Sequence, residues 1–530
     1  MRQVSPDFHL APSWALQVGQ VGHWAILFGA MLLVASGLLS AFAPARMRMA
    51  RGAFILGVLS IFIAGGCLAS LFLNDQFEFQ YVAEHSWKNL ALAYKIAAIW
   101  SGQEGSFLLW ATASALFALL TLRGTEIYQR WYITVYALFL ATLCGILCYE
   151  SPFSLFKELV VEGQTYAPNN GQGLVPSLQN YWVVIHPPTI FLGFGSLTVP
   201  FAYAMSAMIT GDLKDWITRV RTWALVSLSI LGLGVVMGGL WAYETQGWGG
   251  FWAWDPAENV SLVPWLLTAA FIHGLIVQST RNRWSGTNLW LGALPFLLFF
   301  YGTFLVRSGF LDKFSVHSFA QMNRSALWIL LAALMLAVIA FLVIWFVRGT
   351  KLAKATNAPQ KPEGFAREAA YQSAVIIVTG LAITVALGMS VPFIVGLMGK
   401  EAKIVEEPLY HQVVVWFFLP IMLLMAAAPF LSWKRMKLAD FMNRFLVVTG
   451  AAVCITATLY FIGHSSWDTG ALLTFPFGLQ VPRVPWVMVL FFFAAVVAIG
   501  NTWRLIELFK QFKLGVGGFV AHLGVATVMA

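Results

Sequence analysis

The sequence predicts an all-α, polytopic membrane helix bundle of about 14 transmembrane helices, with its N-terminus on the outer side. Three observations carry the prediction. The 530-residue chain is 59% hydrophobic and only 10% charged, with a mean hydropathy of +0.76, whereas about a quarter of the residues in a soluble domain are charged. Apolar stretches of roughly 17 to 25 residues recur along its whole length. The basic residues between them gather on alternate connections.

Taken in order, the expected spans lie near 23–43, 52–73, 90–122, 131–150, 187–210, 222–243, 259–280, 286–306, 326–347, 369–398, 411–432, 443–463, 485–501 and from 515 onward. The first is not a cleaved signal: it lacks a basic leading segment and is followed by Arg46, Arg48 and Arg51. The third, at 90–122, is too long for one simple crossing and carries Gly102, Glu104 and Gly105 in a Gly-rich break. Alternating the connections puts about 22 of the Lys and Arg residues on one side, which the positive-inside rule makes cytoplasmic. Acidic residues do the reverse: Asp75, Glu78, Glu84, Glu158, Glu162, Asp255, Glu258, Glu406 and Glu407 all fall on the other side.

No soluble domain interrupts the spans, so 1–530 reads as a single membrane domain. The longest outer connection, about 150–181, carries the turn sequence Asn169-Asn170-Gly171-Gln172-Gly173. The longest inner one, 351–367 with two prolines, reads as a cytoplasmic linker. There is no internal repeat of the kind that builds many secondary transporters.

The net charge of +9 is scattered between apolar runs and implies no nucleic-acid partner. Cys67, Cys144, Cys148 and Cys454 all sit in apolar stretches, which argues against a disulfide framework, and no Cys-x-x-Cys-His is present to attach haem to this chain itself. Cys144 and Cys148 share a helix face and read as buried thiols.

The 23 Trp and 43 Phe residues exceed what interfacial belts need, which suggests a large flat ligand. Five of the Trp residues fall in an outer loop at 241–265. Trp241, Tyr243, Trp248, Phe251, Trp252 and Trp254 fall within a short stretch, with Gly247, Gly249 and Gly250 allowing a tight fold. Asp255 precedes Pro256 and is placed to cap a helix, with Glu258 one turn in. The blander reading is an interfacial aromatic belt with an ordinary cap.

Two histidines match in depth. His273 lies about 12 Å from the end of its span at Arg281, and His522 about 13 Å beyond Lys513 on the same side. Two neutral imidazoles at one level can ligate a low-spin haem b axially; they can equally be unrelated packing residues. His186 opens the fifth span beside Pro187 and Pro188, and His317 lies in the outer loop after Arg307. Both can reach the space above the Trp loop, although loop histidines are ordinarily solvated. His23, His411 and His464 lie at outer boundaries, His9 and His85 in polar outer segments.

The run Trp248-Gly-Gly-x-Trp252-x-Trp254-Asp255-Pro256-x-Glu258-Asn259 resembles the WWD motif of a haem-handling superfamily. Its flanks, around Trp100 to Trp110, His186-Pro187-Pro188, Gly302 to Gly309 and Ser315 to Ala320, resemble the cytochrome c haem lyase family CcmF. The resemblance implies an enzyme of bacterial cytochrome c maturation, acting at the periplasmic face of the cytoplasmic membrane. It implies that a haem chaperone delivers haem to the loop, where His186 and His317 hold the iron and Arg307 meets a propionate. Trp248, Trp252, Trp254, Asp255 and Glu258 are then the residues that orient haem for thioether formation with the Cys-x-x-Cys-His thiols of apocytochrome c. It further implies a resident haem b on His273 and His522, thiol-reducing and apocytochrome-binding maturation subunits as partners, and a quinol as a possible electron donor.

The stretch 308–317 departs from the family pattern in being longer and more charged, and family members usually continue beyond the position of His522, so the chain is expected to be incomplete. The other classes are a haem transfer or export component of the same superfamily, whose members are generally much shorter, and a transporter unrelated to haem.

Overall fold

Among the described residues, thirteen helical segments are long and apolar enough to cross a membrane, and a further apolar helix, Gly517–Thr527, is shorter. They account for the expected spans in order. The computed structural model describes residues 7–245, 250–311, 315, 322–356, 366–401, 403–434, 436–463, 472–474, 480–510 and 516–529. The chain forms two compact units, Met1–Asn357 with Val385–Ile404, and Ala358–Thr384 with Val405–Ala530.

The first unit begins with a short strand, β1 (Phe8–Leu10), and the helices α1 (Ser13–Phe42) and α2 (Met47–Leu73). The short α3 (Gln80–His85) and α4 (Leu92–Ala98) lead into α5 (Gln103–Thr121) and α6 (Gln129–Tyr149). Then come β2 (Val160–Val161), β3 (Gln164–Pro168), α7 (Tyr181–Ser196), α8 (Thr198–Thr210) and α9 (Asp215–Thr245). The helices α10 (Pro256–Arg281), α11 (Ser285–Arg307), α12 (Arg324–Ile344) and α13 (Thr350–Thr356) follow. Helix α1 lies against α2 and α6, while α5, α7, α9, α10 and α11 pack in sequence around one interior. That interior is aromatic: Trp110 meets Phe299 edge-on with centroids 5.0 Å apart, and Phe194 stacks on Phe299 at 4.0 Å.

Three local features show why the chain folds as it does. The apolar unit at 90–122 is broken between α4 and α5. There the Tyr81 hydroxyl accepts from the Gly102 amide at 3.0 Å and donates to the Ile99 carbonyl at 3.1 Å. It replaces bonds that a continuous helix would make to itself. A side chain at Gly105 cannot fit, because its Cβ would lie 1.8 Å from the Ile99 carbonyl oxygen. The long connection at 150–181 is ordered rather than merely turned back: β3 pairs antiparallel with β1 (Phe8↔Pro168) and with β2 (Val160↔Thr165), in the order β1-β3-β2. The fifth span begins earlier than its apolar run, at Tyr181, because the Asn180 side chain accepts from the Val183 amide and so caps the helix. His186 therefore stands in the second turn of α7 rather than at its opening. The stretch expected as a linker from 351 is helical through Thr356, where Ser285 Oγ donates to the Ala353 carbonyl at 3.2 Å; residues 357–365 lie outside the described residues.

The second unit takes the first part of α14 (Arg367–Leu397) with α15 (Glu407–Ala427), α16 (Leu438–Gly463), the hairpin β4 (Leu472–Thr474) and β5 (Gln480–Pro482), α17 (Arg483–Lys510) and α18 (Gly517–Met529). Helix α17 packs against α15, α16 and α18. Its core joins Phe430, Phe441, Val448, Val496, Val497 and Ala526.

Candidate functional site

Between α9 and α10 the chain enters the tryptophan-rich loop; residues 246–249, with Trp248, lie outside the described residues. The exit from the loop is fixed by the sequence Trp254-Asp255-Pro256-Ala257-Glu258-Asn259. Trp254 takes a left-handed backbone conformation, φ +57°, which is unfavourable for a residue with a Cβ. Asn259 stabilises it: this fully buried side chain donates from Nδ2 to the Trp254 carbonyl at 3.0 Å. The Asp255 carboxylate accepts from the Ala257 amide at 2.7 Å, and Glu258 Oε2 accepts from the amides of Ala253 at 3.0 Å and Asp255 at 3.3 Å. Together they form a capping box at the start of α10, as the Asp255-Pro256 pair predicts. Ser315 Oγ donates to Asp255 Oδ1 at 2.8 Å, tying the loop that follows α11 to this cap.

Below the loop lies a cavity of about 220 Å³, walled by α5, α7, α9, α10 and α11. Four of the residues that the resemblance gives a haem role line it: His186, Trp252, Glu258 and Arg307. Trp110, Trp241, Phe107 and Phe299 supply aromatic walls, and Ser106 and Ser261 are among the polar ones. The His186 ring meets Trp241 edge-on at 5.6 Å. Helix α9 approaches so closely there that a Cβ on Gly238 would lie 2.9 Å from His186 Cε1. Arg307 is 5% exposed. Its Nη2 donates to Ser106 Oγ at 2.7 Å, and its guanidinium lies 5.0 Å over the Phe107 ring. Glu104, Tyr81 and Glu150 make up its charged and polar surroundings, and burial pushes the Glu150 carboxyl above its ordinary value.

His273, on α10, donates from Nδ1 to the Ala269 carbonyl at 2.7 Å, which assigns the acceptor role of the neutral ring to Nε2. His522 is half-buried on α18 in the second unit. His317 and His464 lie outside the described residues. His9 donates to Asn169 Oδ1 at 3.2 Å, His411 lies 3.6 Å from Glu407, and His23 packs edge-on to Trp24; all three are exposed. The four cysteines are free. Among the described residues no group of three or more His, Cys, Asp and Glu side chains is placed to hold a metal ion.

Ser106 and Trp110 are cavity residues that sequence reasoning quoted only as part of a motif. Their i, i+4 spacing puts them on one helix face, and this was the available signal. Ile190, Phe194, Val235 and Phe299 also line the cavity and carry no sequence signal that separates them from other apolar span residues.

A family model described as "Cytochrome C assembly protein" matches residues 100–311, the segment that holds every described wall of this cavity. The chain is 29% identical to the cytochrome c-type biogenesis protein CycK of Rhizobium meliloti, over 96% of this chain and 75% of the relative. It is 32% identical to the probable cytochrome c-type biogenesis protein NrfE of Escherichia coli, over 78% and 74%. It is 30% identical to the cytochrome c-type biogenesis protein CcmF of Pseudomonas aeruginosa, over 85% and 68%. A solved structure, "Cytochrome c Heme Lyase CcmF", superposes with a TM-score of 0.70 at 25% identity, covering 97% of this chain and 76% of that one. The chain belongs to the CcmF, CycK and NrfE family of cytochrome c-type biogenesis proteins.

Proposed function

We propose that the chain promotes covalent attachment of haem to apocytochrome c at the outer, periplasmic face of the bacterial cytoplasmic membrane. The observation that carries the reading is the single cavity lined by His186, Trp252, Glu258 and Arg307 directly under the tryptophan-rich loop. The charge asymmetry of the connections supports the orientation, since the loop falls on the side poor in Lys and Arg.

Haem is the substrate, delivered by a haem chaperone. His186 and His317 hold its iron, Arg307 meets a propionate, and Trp248, Trp252 and Trp254 offer faces to the macrocycle. Each Cys-x-x-Cys-His thiol adds across a vinyl group: a sulfur–carbon bond forms at one vinyl carbon, and the thiol proton ends on the other. The addition requires no net oxidation and little acid or base from the protein. Asp255 and Glu258 act by fixing the loop. What the protein contributes is orientation of vinyl and thiol, an effective-concentration contribution. Thiol-reducing and apocytochrome-binding maturation subunits keep the second substrate in its dithiol form.

His273 and His522 are the residues that would hold a resident haem b. The Nδ1 bond of His273 to Ala269 fits a histidine that would ligate iron through Nε2, because the same arrangement fixes tautomer and ring orientation in metal-bound histidines. Such a group would supply one-electron chemistry that keeps substrate haem iron reduced, drawing on a donor such as a quinol.

The test is an absorption spectrum with pyridine haemochrome analysis of the purified protein and its His→Ala variants, read beside holocytochrome formation in cells. His273→Ala and His522→Ala should lose the resident haem. His186→Ala and His317→Ala should keep it and form no holocytochrome. Wild-type holocytochrome levels in the last two would refute the proposal, and haem transfer without thioether formation would favour an export component.

A further inference from the structure

Three hydrogen-bond donors in the cavity under the loop have no acceptor among the described residues. Trp110, Trp241 and Trp252 all line it, and the indole Nε1 of each is buried with no hydrogen-bond partner among the described residues. Trp110 is the clearest case, being 1% exposed and boxed edge-on by Phe139 and Phe299. A buried N–H without an acceptor costs about 1–3 kcal/mol. One such group is tolerable; three around one space indicate that something absent from the chain accepts from them.

The wall oxygens make their hydrogen bonds to groups other than these indoles, Thr303 Oγ1 for example donating to the Phe299 carbonyl. Glu258 Oε2 receives the Ala253 and Asp255 amides. Ser106 Oγ receives Arg307 and donates to the Gln103 carbonyl, and Ser261 Oγ donates to the Glu258 carbonyl. The buried guanidinium of Arg307 adds a permanent positive charge at the Ser106 end, and the rest of the lining is apolar, with Phe107, Ile190, Phe194 and Phe299.

We infer that this cavity binds an apolar ligand by its carboxylate, which Arg307 and the indole N–H groups of Trp110, Trp241 and Trp252 hold together. The inference rests on the function proposed above for its choice of ligand: haem, entering with its propionate edge in the cavity. The propionates and vinyls of haem project from opposite edges of the macrocycle, so this orientation leaves the vinyl edge at the loop, where thiols arrive. Trp110 and Trp241 are thereby positioning residues for the thioether step. A fatty-acid carboxylate from the bilayer presents the same chemistry, and the experiment separates the two.

Zinc protoporphyrin IX and its dimethyl ester are titrated against the full-length protein in detergent, with porphyrin fluorescence as the readout. Hydrogen bonds to a charged group contribute about 1.5–3 kcal/mol, so the free acid should bind the wild type roughly 10- to 100-fold more tightly than the ester. Trp110→Phe, which keeps most of the ring and removes the donor, should lower that ratio about tenfold, because the ester carbonyl accepts only the weaker neutral hydrogen bond. Arg307→Gln should abolish the preference, and Ser106→Ala gives a milder form of the same loss should Arg307→Gln fail to fold. A thermal unfolding transition and elution volume like the wild type's show that each variant is intact. Equal affinity for acid and ester in the wild type, or an unchanged ratio in both Trp110→Phe and the Arg307 or Ser106 variant, overturns the inference. If the porphyrin acid does not bind but oleate quenches tryptophan fluorescence in an Arg307-dependent way, the carboxylate site stands and haem attachment is the part that fails. Binding of neither overturns both.

Discussion

Gly238→Ala tests the role of His186 without touching the histidine. The added methyl would sit 2.9 Å from His186 Cε1, 3.5 Å from Nε2 and 3.6 Å from Nδ1. Comfortable carbon–carbon contact needs about 3.5–4.0 Å, so the ring must retreat by roughly 0.5–1 Å or tilt. Overpacking of this size costs about 1–3 kcal/mol. If the strain falls on iron ligation, the affinity of His186 for haem iron drops about fivefold at the low end and roughly 150-fold at the high end. The assay is haem titration followed by the Soret and visible bands in nanodiscs. Gly66→Ala on α2 serves as the control, because nothing lies within 4 Å of the new methyl and alanine favours a helix by up to about 1 kcal/mol. The expected result is a weakened and shifted spectrum for Gly238→Ala only. Wild-type affinity and band positions in that variant would refute the claim that the α9 approach sets the His186 ring in place.

Three other outcomes follow from the geometry. Glu78 is 1% exposed and burial raises its carboxyl from 4.5 to about 7; its preference for the neutral form stabilises the fold fully below the lower value and is lost as pH rises to the upper one. Glu78→Gln should therefore match the wild type near pH 4.5 and exceed it increasingly up to pH 7, by at most about 3 kcal/mol; a melting-temperature difference that does not grow with pH contradicts this. Asn259→Ala removes the bond to Trp254 and leaves a left-handed residue unsupported, so the loop should loosen at a cost of about 1–3 kcal/mol, visible as faster proteolysis within 246–254 with the helices intact; unchanged cleavage would count against the cap as the loop's anchor. Gly105→Ala drives a methyl into the Ile99 carbonyl, and since that obstacle is backbone it cannot yield cheaply; folded protein recovered at wild-type yield would show that the α4–α5 break tolerates a side chain.

Much of this molecule is legible in its sequence. Apolar runs of membrane-spanning length force helices, because in a bilayer the backbone can satisfy its hydrogen bonds only within a helix or a closed barrel. That alone yields the order of the spans and the broken unit at 90–122. The Asp255-Pro256 pair likewise gives its capping box, a device that depends only on neighbours in the chain. The start of α7 is not legible in hydropathy for a related reason: hydropathy reports where apolar residues begin, whereas Asn180 starts the helix six residues before His186 through a side-chain cap.

What the sequence determines by itself is thus local and one-dimensional: which segments cross, where they break, and which residue types crowd the loop at 241–265. Which helices stand beside which was decided only by the tertiary structure. In spans that are apolar on nearly every face, periodicity does not single out a packing face. The cavity depends on close approaches such as Gly238 against His186 and on Arg307 reaching Ser106 across 201 positions of sequence. Only in three dimensions do three indole donors, one buried cation and His186 converge on one space, because helix packing, not chain order, makes them neighbours.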